Sequence, residues 1–249
     1  MSLANVQLSK PTFSVLKSRL PKNFGTNTRK IKFSLEAKLI ENYTTQNVIG
    51  YLEGKPSPTL SKTDSFVVLT AHYDHLGGLG KNSYFAGAND NASGVAFLLE
   101  LLEHYKQNPP NYNLVFMFFG AEEAGLLGSK FYVNSPLFPL SQIKFLLNLD
   151  LVGTGIEGIT VVNATIFPKE FDLITQLNKE GNYFTQVKKR GKAANSDHYF
   201  FTEKGVKSFF IYAMGGIQAY HDVDDKAETL PLSHYQSLFQ LITKFFDKI

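Results

Sequence analysis

Histidines and carboxylates recur in this chain at the ends of apolar runs. The first cluster is Ala71-His72-Tyr73-Asp74-His75-Leu76-Gly77, which follows Phe66-Val67-Val68-Leu69-Thr70. That β-branched run reads as a buried strand. A strand ending in His-x-Asp places an imidazole at the carboxyl edge of a sheet, where open α/β folds build their sites. Asp74 can reach back to the second ring nitrogen and fix the tautomer, as carboxylates behind metal-binding histidines do. The second cluster is Gly87-Ala88-Asn89-Asp90-Asn91-Ala92-Ser93-Gly94. Asp90 needs no role there beyond capping a helix, yet the glycines on both sides shape the backbone tightly. A carboxylate held on such a loop can bridge two cations. The third, Gly120-Ala121-Glu122-Glu123-Ala124-Gly125, ends the apolar run 113–119. Adjacent carboxylates after a buried strand are costly unless something positive compensates them. One can ligate a metal while the other carries protons; the plain alternative is a solvated helix start. Asp150 ends the run Asn148-Leu149, and Tyr220-His221-Asp222-Val223-Asp224-Asp225 follows a further apolar strand and a glycine turn.

Alternating strands and helices must position these groups. The patterns predict strands at 47–53, 65–71, 113–119, 143–149, 158–163 and 207–214, and helices at 92–106, 126–134, 168–182 and 232–249. Upstream, residues 6–9 fit a short strand, 12–20 a helix with Pro11 at its first turn, and 30–41 a half-buried strand. The fold class is therefore α/β: a mixed, centrally parallel β-sheet flanked by helices on both faces. In such a sheet the ends of three successive strands share one edge. His72, Glu122, Glu123 and Asp150 then converge, with Asp90 and His221 in the adjoining loops. The chain has no Cys, which excludes disulfides, thiolate metal sites and a Cys nucleophile. Two His and at least three carboxylates suit a pair of divalent ions about 3.5–4 Å apart, an arrangement that drives hydrolysis.

The 249 residues, 43% hydrophobic, suffice for one large α/β domain or two small ones. A net charge of +3 is too small for a nucleic-acid footprint, and no apolar run approaches the length of a transmembrane span. The start, Met1-Ser2-Leu3-Ala4-Asn5, has no basic segment followed by an apolar one, so no leader is read there.

The five ordered clusters resemble the co-catalytic zinc aminopeptidases, a family that includes secreted bacterial leucyl aminopeptidases and the glutamate carboxypeptidases. The matching motifs are His72-x-Asp74, Gly87-Ala88-x-Asp90-Asn91-Ala92-Ser93-Gly94, Glu122-Glu123-x-Gly125-x-x-Gly128-Ser129, Asn148-x-Asp150 and Tyr220-His221-x-x-x-Asp225. The resemblance runs from about Asn47 to Asp225 and extends to the closing helix. It implies a zinc exopeptidase-like three-layer sandwich that holds two Zn2+ per chain, with other divalent ions as substitutes. By that likeness His72 and Asp150 hold one metal, Glu123 and His221 the other, and Asp90 bridges them. Glu122 is then the general base, Asp74 and Asp225 support the ligands, and Tyr220 donates a hydrogen bond to the tetrahedral intermediate. The likeness further implies peptide substrates, a periplasmic or secreted location, and a cis peptide bond after Asp90.

The activity so implied is that of a metal-dependent exopeptidase, hydrolysing N-terminal residues with a two-metal-activated water and a Glu base. Related reactions on the same scaffold are alternatives. Glutaminyl cyclases lack the full two-metal set that His72 and Asp90 complete here. Metallo-carboxypeptidases and deacylases usually carry a dimerisation domain after the Glu-Glu region, and the stretch from Glu123 to Asp150 is too short for one. A non-catalytic binding module of the receptor branch would have lost ligands. Two departures stand out. The family often has Thr-Pro after the last ligand, where this chain has Asp222-Val223. Many relatives also carry an inserted protease-associated domain, and residues 4–24 look similar to the tail of such an insert. Residues 1–24 are accordingly read as an N-terminal segment left from an inserted or preceding domain, and 25–249 as the zinc peptidase catalytic domain.

Ser196-Asp197-His198 contains the residue types of a catalytic triad, but consecutive residues do not face one another as nucleophile, base and orienter; structural or pocket-wall roles fit better. Tyr199 and Phe200, with Met214 and Ile217 before the last ligand, are candidates for an apolar substrate pocket. The alternative is an aromatic run packed inward from a helix. His75, His104 and His234 read as ordinary surface or core positions, and Lys188-Lys189-Arg190-Gly191-Lys192 as a solvated surface turn.

Overall fold

A computed structural model describes residues 20, 22, 24, 25, 40–55 and 65–249. The chain falls into two compact units, Met1–Thr45 and Gln46–Ile249. The expected strand at 6–9, helix at 12–20 and most of the strand at 30–41 lie outside the described residues. What is described of the first unit is turn and irregular backbone.

The second unit is built on a seven-stranded sheet. Its strands are β1 (Val48–Leu52), β2 (Phe66–His72), β5 (Asn113–Phe119), β6 (Ile143–Leu149), β7 (Gly158–Val162), β8 (Val187–Lys189) and β9 (Ser208–Met214). The spatial order is β1-β5-β2-β6-β9-β7-β8. Strands β5, β2, β6 and β9 are mutually parallel, whereas β1 joins β5, and β7 joins β9, antiparallel. The two remaining strands, β3 (Gly77–Leu79) and β4 (Ser83–Phe85), form a separate hairpin.

The central strands are continuous apolar runs because both of their faces are covered. Every residue of β2 is buried, and alternate side chains enter different cores. Val67, Leu69, Leu114, Phe116, Phe145 and Leu147 pack into the larger core. There they meet α1 (Ser93–Gln107), α3 (Pro168–Gly181) and α5 (Tyr235–Phe246). Val68, Val115, Met117 and Leu146 enter a smaller core with α2 (Leu127–Asn134) and α4 (His198–Glu203). This is the three-layer α/β arrangement expected from the pattern.

Differences from the expectation are local. The basic segment is not a free turn: Val187–Lys189 pairs parallel with β7 as the edge strand β8. The β3–β4 hairpin is absent from the sequence reading because strands of three residues, Gly-Gly-Leu and Ser-Tyr-Phe, are too short to show a periodicity. The closing helix starts at Tyr235 instead of residue 232.

Candidate metal centre

Strands β2, β5 and β6 end in register, and that register gathers the polar ends. His72 is opposite Phe119, so the residues that follow each strand leave the sheet at one edge. There His72 Nε2 lies 3.2 Å from Asp90 Oδ1 and 3.4 Å from Asp150 Oδ2. His221 Nε2 lies 3.2 Å from Asp90 Oδ2 and 3.1 Å from Glu123 Oε2. The two oxygens of Asp90 thus face different imidazoles, one in each group. Glu122 offers a carboxylate oxygen to the group of His72 and Asp150, all within 4.8 Å of one another.

The loop carrying Asp90 is fixed from three directions. Asp225 accepts hydrogen bonds from the backbone N–H groups of Asn89 at 2.8 Å and Asp90 at 3.0 Å. Asn91 donates to the Leu149 carbonyl and accepts from Gly94 N–H, joining the end of β6 to the start of α1. Ser93 Oγ donates to the Asn89 carbonyl at 2.7 Å. The Asp90–Asn91 peptide bond is cis. Gly87 has φ +67, and a Cβ there would run into the Asp90 carbonyl and the His75 ring. The second cluster is therefore a shaped cradle, not a simple helix cap; α1 has no side-chain N-cap bond from Ala92.

Asp74 supports the centre differently from the expectation. Its carboxylate is 3.8 Å from His72 Nδ1, beyond hydrogen-bond reach, while its backbone carbonyl is 3.0 Å away. A carbonyl can only accept, so in the neutral ring Nδ1 carries the proton and Nε2 keeps the lone pair for a metal. The Asp74 carboxylate instead accepts from Glu122 N–H at 3.0 Å and Glu123 N–H at 3.2 Å, holding the turn that presents both glutamates. Asp150 is oriented by a buried chain of hydrogen bonds. Thr70 Oγ1 donates to Asn148 Oδ1, Asn148 Nδ2 to Ser196 Oγ, and Ser196 Oγ to Asp150 Oδ2. Ser196 is thereby a structural member of the site.

Negative charge is in excess here, and the protonation equilibria register it. Burial pulls the His72 imidazolium down, but Asp150 and Asp90 outweigh it and hold its pKa well above the usual value. Burial likewise opposes ionisation of Asp90, yet hydrogen bonds from His221 and His72 keep its pKa below the carboxylate range. Glu122 is pushed up to about 9, by burial first and then by Asp197, Asp150 and Glu123, against the opposing field of His72. Burial also raises Asp197 to about 7. Among the described residues, the buried Oδ1 of Asp150 has no hydrogen-bond partner, and the cationic groups within ion-pair distance of Asp90 and Asp150 are histidines. Such a set, with imidazole and carboxylate donors and one carboxylate shared between two groups, fits a pair of divalent cations of the zinc class.

His75, expected at an ordinary surface or core position, lies beside these groups instead. Its Nδ1 is 2.8 Å from Glu123 Oε1 and 4.0 Å from Asp90 Oδ2, and it groups with those two carboxylates as a possible ligand set. One signal was available in the sequence, that His75 directly follows His-x-Asp; the need for Gly87 to make room for its ring shows only in the structure. Tyr220 stacks on the His221 ring with centroids 4.0 Å apart and is 64% exposed, leaving it open to a substrate. Two cavities adjoin it. One, of about 390 Å3, includes Met214 and Ile217 in its wall. The other, of about 270 Å3, includes Asp90, Glu122 and Asp150. Tyr199 and Phe200 line neither. They lie on α4, where Phe200 packs against the smaller core, so the inward-packing alternative describes Phe200. His104 and His234 stand in aromatic contacts with Phe239 and Phe184.

No helix among the described residues is long and apolar enough to cross a membrane. The sequence and fold are similar to those of known proteins. The aminopeptidase YwaD of Bacillus subtilis (strain 168) is 30% identical over 231 residues, covering 87% of this chain and 47% of that protein. The chain thus spans about half the length of that relative. The crystal structure of BSAP, a zinc aminopeptidase from Bacillus subtilis, superposes with a TM-score of 0.69 at 28% identity, over 84% of this chain and 51% of the other. A Bacteroides thetaiotaomicron glutaminyl cyclase shares the fold, with a TM-score of 0.65 at 22% identity, over 82% of this chain and 77% of its own. The model of peptidase family M28 matches residues 47–246, a span that holds every donor described above. The chain belongs to peptidase family M28.

Proposed function

We propose that this chain is a two-metal exopeptidase that removes N-terminal residues from peptides. The observation that carries the reading is the shared carboxylate: Asp90 faces His72 with one oxygen and His221 with the other. His72, Asp150 and Asp90 would hold one cation, and Asp90, Glu123 and His221 the second, with His75 fixing Glu123. Bound divalent cations supply Lewis acidity at such a centre, polarising a carbonyl and acidifying water, and their charge offsets the carboxylates around Glu122.

The chain's own groups do the rest. Glu122 is held through its backbone N–H by Asp74 and takes no part in the bridging set. Its carboxylate receives a proton as water adds to the scissile carbonyl carbon, and returns it to the amine nitrogen as the C–N bond breaks. The Tyr220 hydroxyl donates to the oxygen that gains negative charge. Burial of His72, Asp90 and Asp150 strengthens the electrostatic interactions among them.

The test is hydrolysis by zinc-loaded protein of aminoacyl substrates with free and with acetylated N-termini, combined with metal analysis. Release of residues from free N-termini, with two zinc equivalents per chain, is expected. Cleavage of blocked substrates alone would overturn the aminopeptidase reading. Asp90→Ala should lose both ions, and two-ion occupancy in that variant would refute the bridge.

A further inference from the structure

The smaller cavity beside the metal centre has a cation in its wall. Asp90, Glu122 and Asp150 border it, and so do Arg190, Asn195 and Tyr212. An exposed arginine on its own says nothing, because surface charges need no partner. Arg190 differs in being placed. Its backbone N–H donates to the Val161 carbonyl at 3.0 Å, just past β8. Its Nη1 donates to Tyr212 Oη at 3.1 Å, and the guanidinium lies over the Tyr212 ring, 6.0 Å from its centroid. Among the described residues no carboxylate pairs with it, whereas nearby Lys192 is paired with Glu203. Because Tyr212 Oη accepts from Arg190, its own hydrogen is left to donate. The Asn195 amide adds further donor capacity in the same lining.

We propose that this cavity recognises a carboxylate of the substrate, with Arg190 as the principal contact and Tyr212 and Asn195 as supplementary donors. The proposal rests on the exopeptidase reading and adds a substrate class to it. A guanidinium binds a carboxylate through two parallel N–H···O bonds. The volume of about 270 Å3 is below the roughly 300–1,000 Å3 of drug-sized sites, so it suits a single residue. The carboxylate has two sources in a peptide: the side chain of an N-terminal Asp or Glu, or the free C-terminus of a very short peptide. Either departs from the apolar preference that Met214 and Ile217 suggest by themselves.

Two matched substrate pairs separate the sources. Glutamyl and glutaminyl p-nitroanilides differ only in side-chain charge, and Leu-Gly and Leu-Gly amide only at the C-terminus. The zinc-loaded wild type should favour the carboxylate member of one pair by about ten- to a hundredfold in kcat/KM, mainly through KM. The pair that responds names the source. Arg190→Ala should collapse that ratio, and Arg190→Glu should invert it, which misfolding cannot do. Calorimetric binding of the same pairs to zinc-loaded Glu122→Gln, which is expected to bind substrate with little turnover, reads the contrast apart from catalysis. Absence of any charge preference in both pairs, or a preference that survives Arg190→Glu, would overturn the proposal. Failure to cleave any member would instead overturn the exopeptidase reading, and the calorimetric contrast would still decide the role of Arg190.

Discussion

Replacing Asp225 by Asn should loosen both metal positions at once, although Asp225 is not itself among the proposed ligands. The residue is 1% exposed, and its two carboxylate oxygens accept separately from the N–H groups of Asn89 and Asp90. An Asn side chain has one acceptor and one donor end. It can keep one of these bonds, and it turns an NH2 group against the other N–H. The lost bond, to a charged acceptor, is worth about 1.5–3 kcal/mol, and a buried N–H left without a partner costs about 1–3 kcal/mol. The two figures describe one and the same loss, so a loop held rigid would lose roughly 1–3 kcal/mol. Part of that loss is relieved by movement of the Asp90 backbone, and Asp90 is the shared carboxylate. Changes behind metal ligands cost about 10–100-fold in affinity, and here the weakening should fall on both ions together. Competition with a chromophoric chelator measures the two affinities, and urea titration of the chelated protein measures the loop's contribution to stability. Wild-type affinity at both positions, or a loss confined to one, would refute the reasoning.

Glu122→Gln should retain both metals and substrate binding while kcat falls by about 10²–10⁴, because shape is kept and proton transfer is lost; near-normal turnover would mean that the two glutamates are assigned in reverse. Asp197 yields a pH prediction. Its folded pKa of about 7 exceeds the ordinary value of about 3.9, so the folded state binds the proton more tightly. Its contribution is intact below pH ~4 and is lost as pH rises through about 7, on the order of 4 kcal/mol in metal-free protein. Asp197→Asn should flatten that fall in urea titrations at pH ~5 and ~7.5, and an unchanged slope would show that the carboxyl is not kept protonated by burial.

Much of the sheet and the five donor clusters were legible because the central strands are buried on both faces. Asn113–Phe119 and Ile143–Leu149 coincide with the runs read from the sequence, since a strand covered on both sides announces itself as an unbroken apolar stretch. What remained hidden depends on pairing instead of composition. Lys188 and Lys189 are exposed residues of an edge strand whose pairing with β7 creates the strand, and nothing in their own chemistry signals it. Arg190 reaches the cavity only because that edge strand ends there. The role of Asp74 was misplaced by one atom type, since sequence spacing cannot tell a carboxylate from the carbonyl of the same residue. Tyr199 and Phe200 were adjacent to the right segment, yet the turn of α4 sends Phe200 toward the smaller core.

The hydrogen bonds from Asn89 and Asp90 to Asp225 span 136 and 135 positions of sequence, and that separation has a consequence for how the protein is born. Synthesis proceeds from the N-terminus at about 5–20 residues per second. On the ribosome, His72, Asp90, Glu123 and Asp150 all emerge before His221 and Asp225. A nascent chain therefore carries most of its donors for several seconds without the clamp that shapes the Asp90 loop. Metal captured in that interval meets a half-built cradle. Only when the segment after β9 has cleared the exit tunnel can Asp225 close the loop, so activation is tied to completion of the sheet and a truncated chain ending before residue 221 should be inert by construction.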